Sequence, residues 1–213
     1  MAIILKSKKY SEIIIDSKTI IGVLGNNYDE FIKSLTGRDV YYLDSNRDTI
    51  IDANDNIGEE YRKLLKIDNI LNKSIKELSH SEKRLLKYYL MIKNDSKIMV
   101  INNPYLDLDN SEVKNINSIL KKLVKSGKNI IIGSKDINEI YMLCKKVLIV
   151  SDNNIYYDDI NCLNNIKLLK KYQLDIPNIV EFIELTKAKG IKIPYSKDIR
   201  DLIKDVYRNV SKK

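Results

Sequence analysis

The sequence of 213 residues contains one histidine, two cysteines, two phenylalanines and no tryptophan. A single histidine, His80, cannot form a metal site of several histidines, and any mechanism with a histidine base would depend on this one residue. Cys144 and Cys162 lie far apart and have no second pair of ligands beside them, so neither a structural metal nor a disulfide is expected. We therefore predict no metal site.

Long apolar runs are also absent. No stretch approaches the ~18–20 apolar residues that cross a bilayer, and the start of the chain, MAIILKSKKY, lacks the apolar core and cleavage site of a signal peptide. The net charge is +8, but its lysines are spread along the whole chain. Such a spread indicates a solvated surface rather than a nucleic-acid patch. These features predict a cytoplasmic protein with no nucleic-acid partner.

The order of apolar segments predicts an α/β fold. The runs AIIL and EIII read as strands of a small edge sheet, and 20–24 reads as a strand buried on both faces. A strand at 98–101, a helix at 110–126 and a strand at 129–132 form a βαβ unit, which indicates a parallel sheet. Helices are also predicted at about 28–35, 58–71, 81–93 and 137–143, and strands at 40–43, 146–150 and in the segment NNIYYDD.

After residue 165 the pattern is purely helical, with Pro177 placed to begin one helix and Gly190 to end it. We therefore divide the chain into a domain of residues 1–165 and a helical C-terminal extension of residues 166–213.

Four short segments have the composition of ligand-binding loops, each placed at a strand end or a helix start. The segments are Leu24-Gly25-Asn26-Asn27, then Leu78-Ser79-His80-Ser81-Glu82-Lys83, then Asn102-Asn103-Pro104 with Leu108-Asp109, and finally Gly133-Ser134-Lys135-Asp136. Each is a weak signal, but together their order and spacing are specific. They resemble, in order, the Walker A loop, the LSGGQ-type signature, Walker B with its D-loop, and the switch-histidine segment of ABC transporter ATPases.

The segment QLDIPNIVEFIELTKAKGIKIP further resembles the C-terminal extension of the energy-coupling-factor (ECF) ATPases. The resemblance implies a P-loop NTPase-like three-layer core with a small antiparallel β edge. It also implies a truncated helical subdomain, since only about 40 residues separate Gly37 from Leu78.

The chain departs from this family at the positions that handle phosphate. A working P-loop, G-x-x-x-x-G-K-[ST], uses backbone amides, a lysine and a hydroxyl to hold phosphates and Mg²⁺. Here the loop after Gly25 is shorter by about three residues, and Tyr28 and Asp29 stand where the lysine and the hydroxyl would be. Asp29 would place a negative charge near the phosphates.

The other motifs differ as well. Asn102 and Asn103 replace the Walker B Asp-Glu pair, and neither amide can take a proton at neutral pH. Lys135 stands at the switch histidine, and the only glutamine, Gln173, is not placed for a Q-loop. In the signature His80 and Ser81 replace two glycines, whereas Ser79 and Glu82 are kept, as is Asp109 of the D-loop.

Structural explanations exist for these residues too. His80 could be a ligand or base, but a histidine at a helix start is more often a cap or surface residue. Asn102 and Asn103 could bind a ligand or simply satisfy backbone groups at a strand end. Lys135 could pair with Asp109 or Asp136, although solvent exposure is the interpretation we favour.

Loss of one preorganised electrostatic group slows a reaction by about 10²–10³-fold, and several are missing here. We therefore predict no catalytic residues and no ATP hydrolysis, with MgATP as an optional ligand only. The resemblance implies a non-catalytic partner of an intact ABC ATPase subunit, docked on a transmembrane coupling subunit, and thus a cytoplasmic protein that can lie peripherally at the inner face of the membrane. Two alternatives remain: a regulator that binds nucleotide without hydrolysis, and a stand-alone interaction scaffold.

Overall fold

The computed structural model describes residues 2–7, 9–10, 12–37, 39–44, 57–152, 154–191, 193–195 and 199–210. The described strands are β1 (Ala2–Ser7), β2 (Ile13–Asp16), β3 (Ile20–Leu24), β4 (Leu35–Thr36), β5 (Val40–Tyr42), β6 (Ile98–Asn102), β7 (Asn129–Gly133), β8 (Lys146–Val150) and β9 (Ile155–Asp159). The described α-helices are α1 (Tyr28–Ser34), α2 (Glu59–Leu65), α3 (Asp68–Leu71), α4 (His80–Asn94), α5 (Asn110–Lys125), α6 (Ile137–Leu143), α7 (Ile166–Lys171), α8 (Asn178–Ala188) and α9 (Ile199–Val210).

The strands form two sheets, as predicted. The central sheet has the order β5-β6-β7-β3-β8-β9. Its first five strands, including β3, run parallel to one another, and only β9 is antiparallel to its neighbour β8. The smaller sheet, β2-β1-β4, is antiparallel. The predicted α/β class, the parallel central sheet and the small antiparallel edge are therefore confirmed, and β9 confirms the strand expected in NNIYYDD.

Alternate residues of the central strands face two different apolar clusters, which explains why these strands read as continuous apolar runs. In β3, Ile20 and Leu24 face the cluster that packs against α4 and α5, whereas Ile21 and Val23 face the cluster that contains Phe31 of α1 and residues of the small sheet. The sheet thus lies between two layers, the three-layer arrangement that was predicted.

One predicted helix is wrong in its continuity. The segment 58–71 forms two helices, α2 and α3, because Lys66 adopts a left-handed backbone conformation with φ of 50°. Between β5 and α4 the described residues contain these two helices and a 3₁₀ turn at Ile75–Glu77. Residues 45–56 of the predicted truncated subdomain lie outside the described residues.

The C-terminal segment contributes to two clusters. Leu169 of α7 and Val180 of α8 are fully buried in the cluster that also contains residues of α4 and α5. Ile183, Ile193 and Leu202 form a separate cluster between α8 and α9. The division at residue 165 stays a prediction, but this packing makes the start of the extension part of the main core.

Candidate functional site

Three of the four predicted segments meet at one edge of the central sheet. Strands β6, β7 and β3 are parallel neighbours, so their carboxyl ends lie side by side. Gly25 to Asp29 follow β3, Asn102 and Asn103 end β6, and Lys135 follows β7. In open parallel α/β sheets this edge is where ligands bind.

The connection from β3 to α1 is a tight turn of three residues, Gly25, Asn26 and Asn27. The Tyr28 amide donates to the Gly25 carbonyl oxygen at 3.2 Å, and Asn27 Nδ2 donates to Asp152 Oδ1 at 2.8 Å. Gly25 has φ of 108°, and a Cβ there would lie 2.1 Å from the Val150 carbonyl oxygen. Only glycine fits this position, so the turn is fixed against the end of β8.

Tyr28 fills the space above the end of β7. Its side chain is 7% exposed and belongs to the cluster around Phe31. A Cβ added to Gly133 would lie 3.0 Å from the Tyr28 ring and 2.0 Å from Ile32 Cδ1. Burial raises the pKa of the Tyr28 phenol. The residue that the sequence analysis assigned to the lysine position of a P-loop is therefore a packed aromatic ring.

Asp29 lies between an amide and an ammonium group. Asn102 Nδ2 donates to Asp29 Oδ1 at 2.7 Å, and Lys33 Nζ lies 2.5 Å from Asp29 Oδ2. This ion pair raises the pKa of Lys33. The other side-chain atom of Asn102, Oδ1, is buried and has no hydrogen-bond partner among the described residues. The two positions that the sequence placed near a phosphate and a metal ion are thus bonded to each other.

Arg84 is a residue of this site that sequence reasoning missed. It is 3% exposed, and its Nη2 donates to the carbonyl oxygens of Asn102 at 2.8 Å and Asn103 at 2.5 Å. Its Nη1 pairs with Asp44 at 3.0 Å. Asn103 has φ of 49°, a left-handed conformation that asparagine adopts more readily than most other residues apart from glycine. The only local signal for this contact was that Arg84 directly precedes the apolar residues Leu85 and Leu86 of α4.

The signature positions form the start of α4. Ser79 accepts from the Glu82 amide at 3.1 Å, and Glu82 accepts from the Ser79 amide at 2.9 Å, which is a capping box. Glu82 also pairs with Lys73 at 2.5 Å. This bond to Lys73, followed by the bond from the Ser79 amide, lowers the pKa of Glu82. Ser79 is therefore the N-cap of α4, and His80 is exposed as the first residue of this helix.

Asp109 of the predicted D-loop caps α5 in the same way. It accepts from the amides of Ser111 and Glu112, while Glu112 accepts from the Asp109 amide. Ser81 donates to the other oxygen of Glu112 at 2.6 Å. The signature and D-loop positions therefore form one hydrogen-bonded group, separate from the Asp29–Asn102 pair, and Arg84 joins α4 to the end of β6.

A small cleft remains beside Gly25. Its volume is about 270 Å³, and it is lined by the end of β3, by Ser134 and Lys135, and by residues 173–175 of the C-terminal segment. Lys135 is exposed and has no ion-pair partner in the described part of the chain. Ser134 is buried and donates to Glu139 at 2.6 Å, and burial raises the pKa of Glu139. Lys135 is the one cationic side chain among the described residues that line this cleft.

Among the described residues, no three His, Cys, Asp or Glu side chains are grouped as metal ligands would be. The helices in the described ranges are also too short or too polar for any of them to pass through a lipid bilayer.

Comparisons with known proteins point to one class. No family model matches the chain. Curated relatives include the ECF transporter ATP-binding protein EcfA2 of Mycoplasmopsis synoviae, 29% identical over 140 residues that cover 64% of this chain and 45% of that protein. EcfA3 of Oenococcus oeni is 24% identical over 162 residues, covering 70% of this chain and 54% of the relative. The chain thus spans about half the length of the curated relatives it matches.

An uncharacterised ABC transporter ATP-binding protein of Methanocaldococcus jannaschii is 29% identical over 155 residues, which cover 66% of this chain and 58% of that protein. Among solved structures, an ATP-binding subunit of an ABC transporter matches 87% of this chain and 100% of its own with a TM-score of 0.60 at 12% identity. A metal-chelate type ABC transporter in an inward-facing conformation matches 76% of this chain and 80% of its own, with a TM-score of 0.59 at 13% identity.

The fold is therefore that of an ABC ATPase subunit, as predicted. The curated relatives are ABC and, more particularly, ECF transporter ATP-binding proteins, so the resemblance inferred from the motifs is confirmed.

Proposed function

We propose that this chain is a non-catalytic member of an ABC/ECF-type transporter, which acts as a structural or regulatory partner of an active ATPase subunit. The names of the relatives support an ATP-binding subunit. The proposal that the chain does not hydrolyse ATP rests instead on one observation. Asn102 Nδ2 donates a hydrogen bond to Asp29 Oδ1 at 2.7 Å, so these two side chains are already paired with each other.

The residues at this edge do not fit MgATP. A phosphate site needs cationic or amide donors aimed at one point and a hydroxyl or carboxylate free for the metal. Here the three-residue turn after β3 is too short to wrap a phosphate, and the buried ring of Tyr28 takes the lysine position. The Asp29 carboxylate, whose side chain is 41% exposed, would face the phosphates with its negative charge.

The chemistry of the Walker B positions supports the same proposal. Asn102 and Asn103 carry no charge and cannot accept a proton from an attacking water. Each missing preorganised group slows a reaction by about 10²–10³-fold. The losses are not additive, but the absence of even two such groups leaves the rate near that of the uncatalysed reaction.

The proposed partners rest on the resemblance to ABC transporter ATPases. ABC ATPases work as head-to-tail dimers, so a chain without hydrolytic residues would need an intact ATPase subunit to supply them and a transmembrane coupling subunit on which to dock. This proposal places the chain in the cytoplasm, at the inner face of the membrane. Ser79 and Glu82 are the signature residues it could offer to the partner, although both already form the capping box of α4.

A second candidate is a regulator that binds a nucleotide or another small anion without hydrolysis. The observation that favours it is the cleft of about 270 Å³ beside Gly25, with Lys135 exposed at its wall. A stand-alone interaction scaffold is the third candidate and needs no ligand in this cleft.

Calorimetric titration of the chain with MgATP, followed by a phosphate-release assay, tests the proposal. We expect no heat of binding up to millimolar nucleotide and no turnover above that of a Lys135→Ala control. Micromolar binding that Lys135→Ala weakens would establish the nucleotide-binding regulator instead. Turnover that disappears in an Asn103→Ala variant would show a catalytic site and overturn the proposal, because a contaminating ATPase would not respond to that substitution.

Co-purification addresses the partner. The chain would be produced together with an intact ECF-type ATPase subunit and its coupling subunit, and the complex isolated through a tag on the coupling subunit. The proposal expects this chain in the complex at a fixed stoichiometry. A chain that remains monomeric and absent from the complex would favour the scaffold.

A further inference from the structure

A mainly apolar cavity lies at the edge of the central sheet opposite the candidate site. It has a volume of about 440 Å³ and is bounded by Leu5 of β1, Leu35 of β4, Val40 of β5 and Ile98 of β6. Strands β5, β6 and β7 begin here, whereas the predicted nucleotide positions follow the opposite ends of the parallel strands. The cavity is therefore separate from the site discussed above and lies between the two sheets.

The walls of this cavity are apolar. Leu5 and Leu35 are each 2% exposed, and Ile98 is 8% exposed. A volume of about 440 Å³ lies within the range of small-molecule sites, roughly 300–1,000 Å³. Contact with these walls would bury an aliphatic chain favourably, by the same hydrophobic effect that packs the core.

The rim of the cavity is cationic. Lys6, Lys18 and Lys97 line it, against the single carboxylate of Asp39. Lys6 lies 3.7 Å from Glu12 and Lys97 lies 3.7 Å from Asp39, and the side chains of both pairs are well exposed. Such surface pairs are weak and can exchange partners.

Lys18 has no ion-pair partner among the described residues. Its backbone is nevertheless held in place, because its amide donates to Asn129 Oδ1 at 2.6 Å. The adjacent strand β3 begins at Ile20. The rim therefore presents an ammonium group on a fixed backbone, available to an anion at the cavity mouth.

We propose that this cavity binds a medium-chain fatty acid, with the aliphatic chain against Leu5, Leu35 and Ile98 and the carboxylate at Lys18. An apolar interior with a cationic rim is complementary to an amphiphilic anion. The site is independent of the nucleotide question, and its occupant would contact both the small sheet and the central sheet.

Calorimetric titration of the full chain with decanoate, below its micellar concentration, tests the site. We expect saturable binding of one equivalent. Octanoate has two fewer methylenes and should bind about tenfold more weakly if those groups are buried. Absence of saturable binding up to millimolar decanoate, or equal affinity for both acids, would overturn the proposal.

Two charge reversals test the carboxylate position. Lys18→Glu should weaken decanoate binding about tenfold, since it replaces an attraction at the mouth by a repulsion. Lys121→Glu makes the same charge change at an exposed lysine of α5 and should leave the affinity within about twofold. Equal losses in both variants would show a response to net charge alone and would contradict the proposed site.

A third variant tests the cavity itself. Thr36 is exposed at the cavity wall, so Thr36→Phe should fill the space and remove saturable binding. Circular dichroism establishes that this variant is folded. A folded Thr36→Phe that keeps full affinity would overturn the proposal, and if the variant does not fold, the Lys18 and Lys121 pair decides the question.

Discussion

At the scale of single residues, the ends of β3 and β6 are held by polar contacts within the chain. The Asp29 carboxylate binds Lys33 on one side and the Asn102 amide on the other. Behind Asn102, the Arg84 guanidinium binds two consecutive carbonyl oxygens of the turn that follows β6. Each of these contacts therefore provides a partner for a polar group at the ends of β3 and β6.

Replacement of Arg84 should destabilise the fold measurably. Arg84→Met keeps the aliphatic stem but removes the donor to the carbonyl oxygens of Asn102 and Asn103. Asp44 is 45% exposed and keeps Lys87 as a partner at 2.7 Å, so the lost carbonyl bonds dominate. We expect a loss of about 1–3 kcal/mol in the free energy of unfolding, measured by urea denaturation. Lys83→Met, at the exposed neighbouring position, should change it by no more than about 0.5 kcal/mol. Similar effects from both variants would contradict the role given to Arg84.

A second carboxyl at position 102 should make stability depend on pH. In Asn102→Asp the new carboxyl meets that of Asp29, and this like charge raises the folded-state pKa of the introduced group above its unfolded value. The loss of stability is therefore absent at low pH, where the introduced carboxyl is protonated in the folded and the unfolded state. It grows as pH rises through the unfolded-state pKa and then the folded-state pKa. We expect a loss of about 1–3 kcal/mol at pH 7 and a smaller loss near pH 4.

Urea denaturation at both pH values measures this effect. The matched control is Asn110→Asp, which adds the same charge at an exposed position in the first turn of α5. A negative charge is favourable at a helix N-terminus, so this control should be neutral or slightly stabilising at pH 7. A pH-independent loss in Asn102→Asp would show that the Asp29 contact is not the cause.

At the scale of elements, the start of α4 combines a cap with a signature-like sequence. Ser79→Ala removes the acceptor for the Glu82 amide and should lower the free energy of unfolding by about 1 kcal/mol. Ser81→Ala, two residues on, removes only the bond to Glu112 and should have a smaller effect. A thermal or urea unfolding curve for both variants separates the two. Loss of partner binding in a Ser79→Ala variant that is as stable as the unmodified chain would instead indicate a role at the interface.

The pKa of the Glu82 carboxyl tests its ion pair with Lys73 at the start of α4. Its pKa is lowered, chiefly by the bond from Lys73. A depressed folded-state pKa stabilises the fold above the unfolded-state value, and this contribution is lost as pH falls through the folded-state value. We expect Lys73→Met to raise the pKa of Glu82 toward its ordinary value, measured by carboxyl-carbon NMR titration. An unchanged titration curve would show that the Lys73–Glu82 pair does not form in solution.

The elements show what the sequence could and could not predict. The alternation of strands and helices and the order of the four motifs were visible as local patterns. The break between α2 and α3 was not, because it depends on the left-handed conformation of Lys66, a residue type with no preference for it. The contact of Arg84 with Asn102 joins residues that are 18 positions apart in the sequence, and the Asp29–Asn102 hydrogen bond joins residues that are 73 positions apart. No local sequence pattern encodes contacts of this kind.

At the scale of the whole molecule, the C-terminal segment is divided between the main core and a small cluster of its own. Leu169 and Val180 are fully buried in the large cluster that also contains residues of α4 and α5, whereas Leu202 of α9 packs with Ile183 and Ile193. The first part of the extension therefore stabilises the main core, whereas the buried Leu202 of α9 packs against α8 and Ile193.

Two truncations test this division. A chain of residues 1–190 lacks α9 but keeps Leu169 and Val180, and it should still unfold cooperatively. A chain of residues 1–165 loses both residues, and since each large buried side chain contributes about 2–5 kcal/mol, it should be unfolded or aggregated. Circular dichroism during thermal unfolding distinguishes the two. A cooperative transition in the 1–165 chain would establish the boundary at residue 165 as an autonomous domain edge.

The short turn at Gly25 has a consequence for the cell. A protein that binds nucleotide only when folded is stabilised by mass action, and millimolar ligand at a micromolar site contributes about 4 kcal/mol. On the function proposed here, the Tyr28 ring fills space beside the end of β7, and the Asp29 carboxylate provides the negative charge that a bound phosphate would bring. The fold therefore gains no stability from nucleotide. The chain would then keep the same melting temperature and the same half-life against proteolysis whether ATP is abundant or exhausted, while its catalytic partner would not.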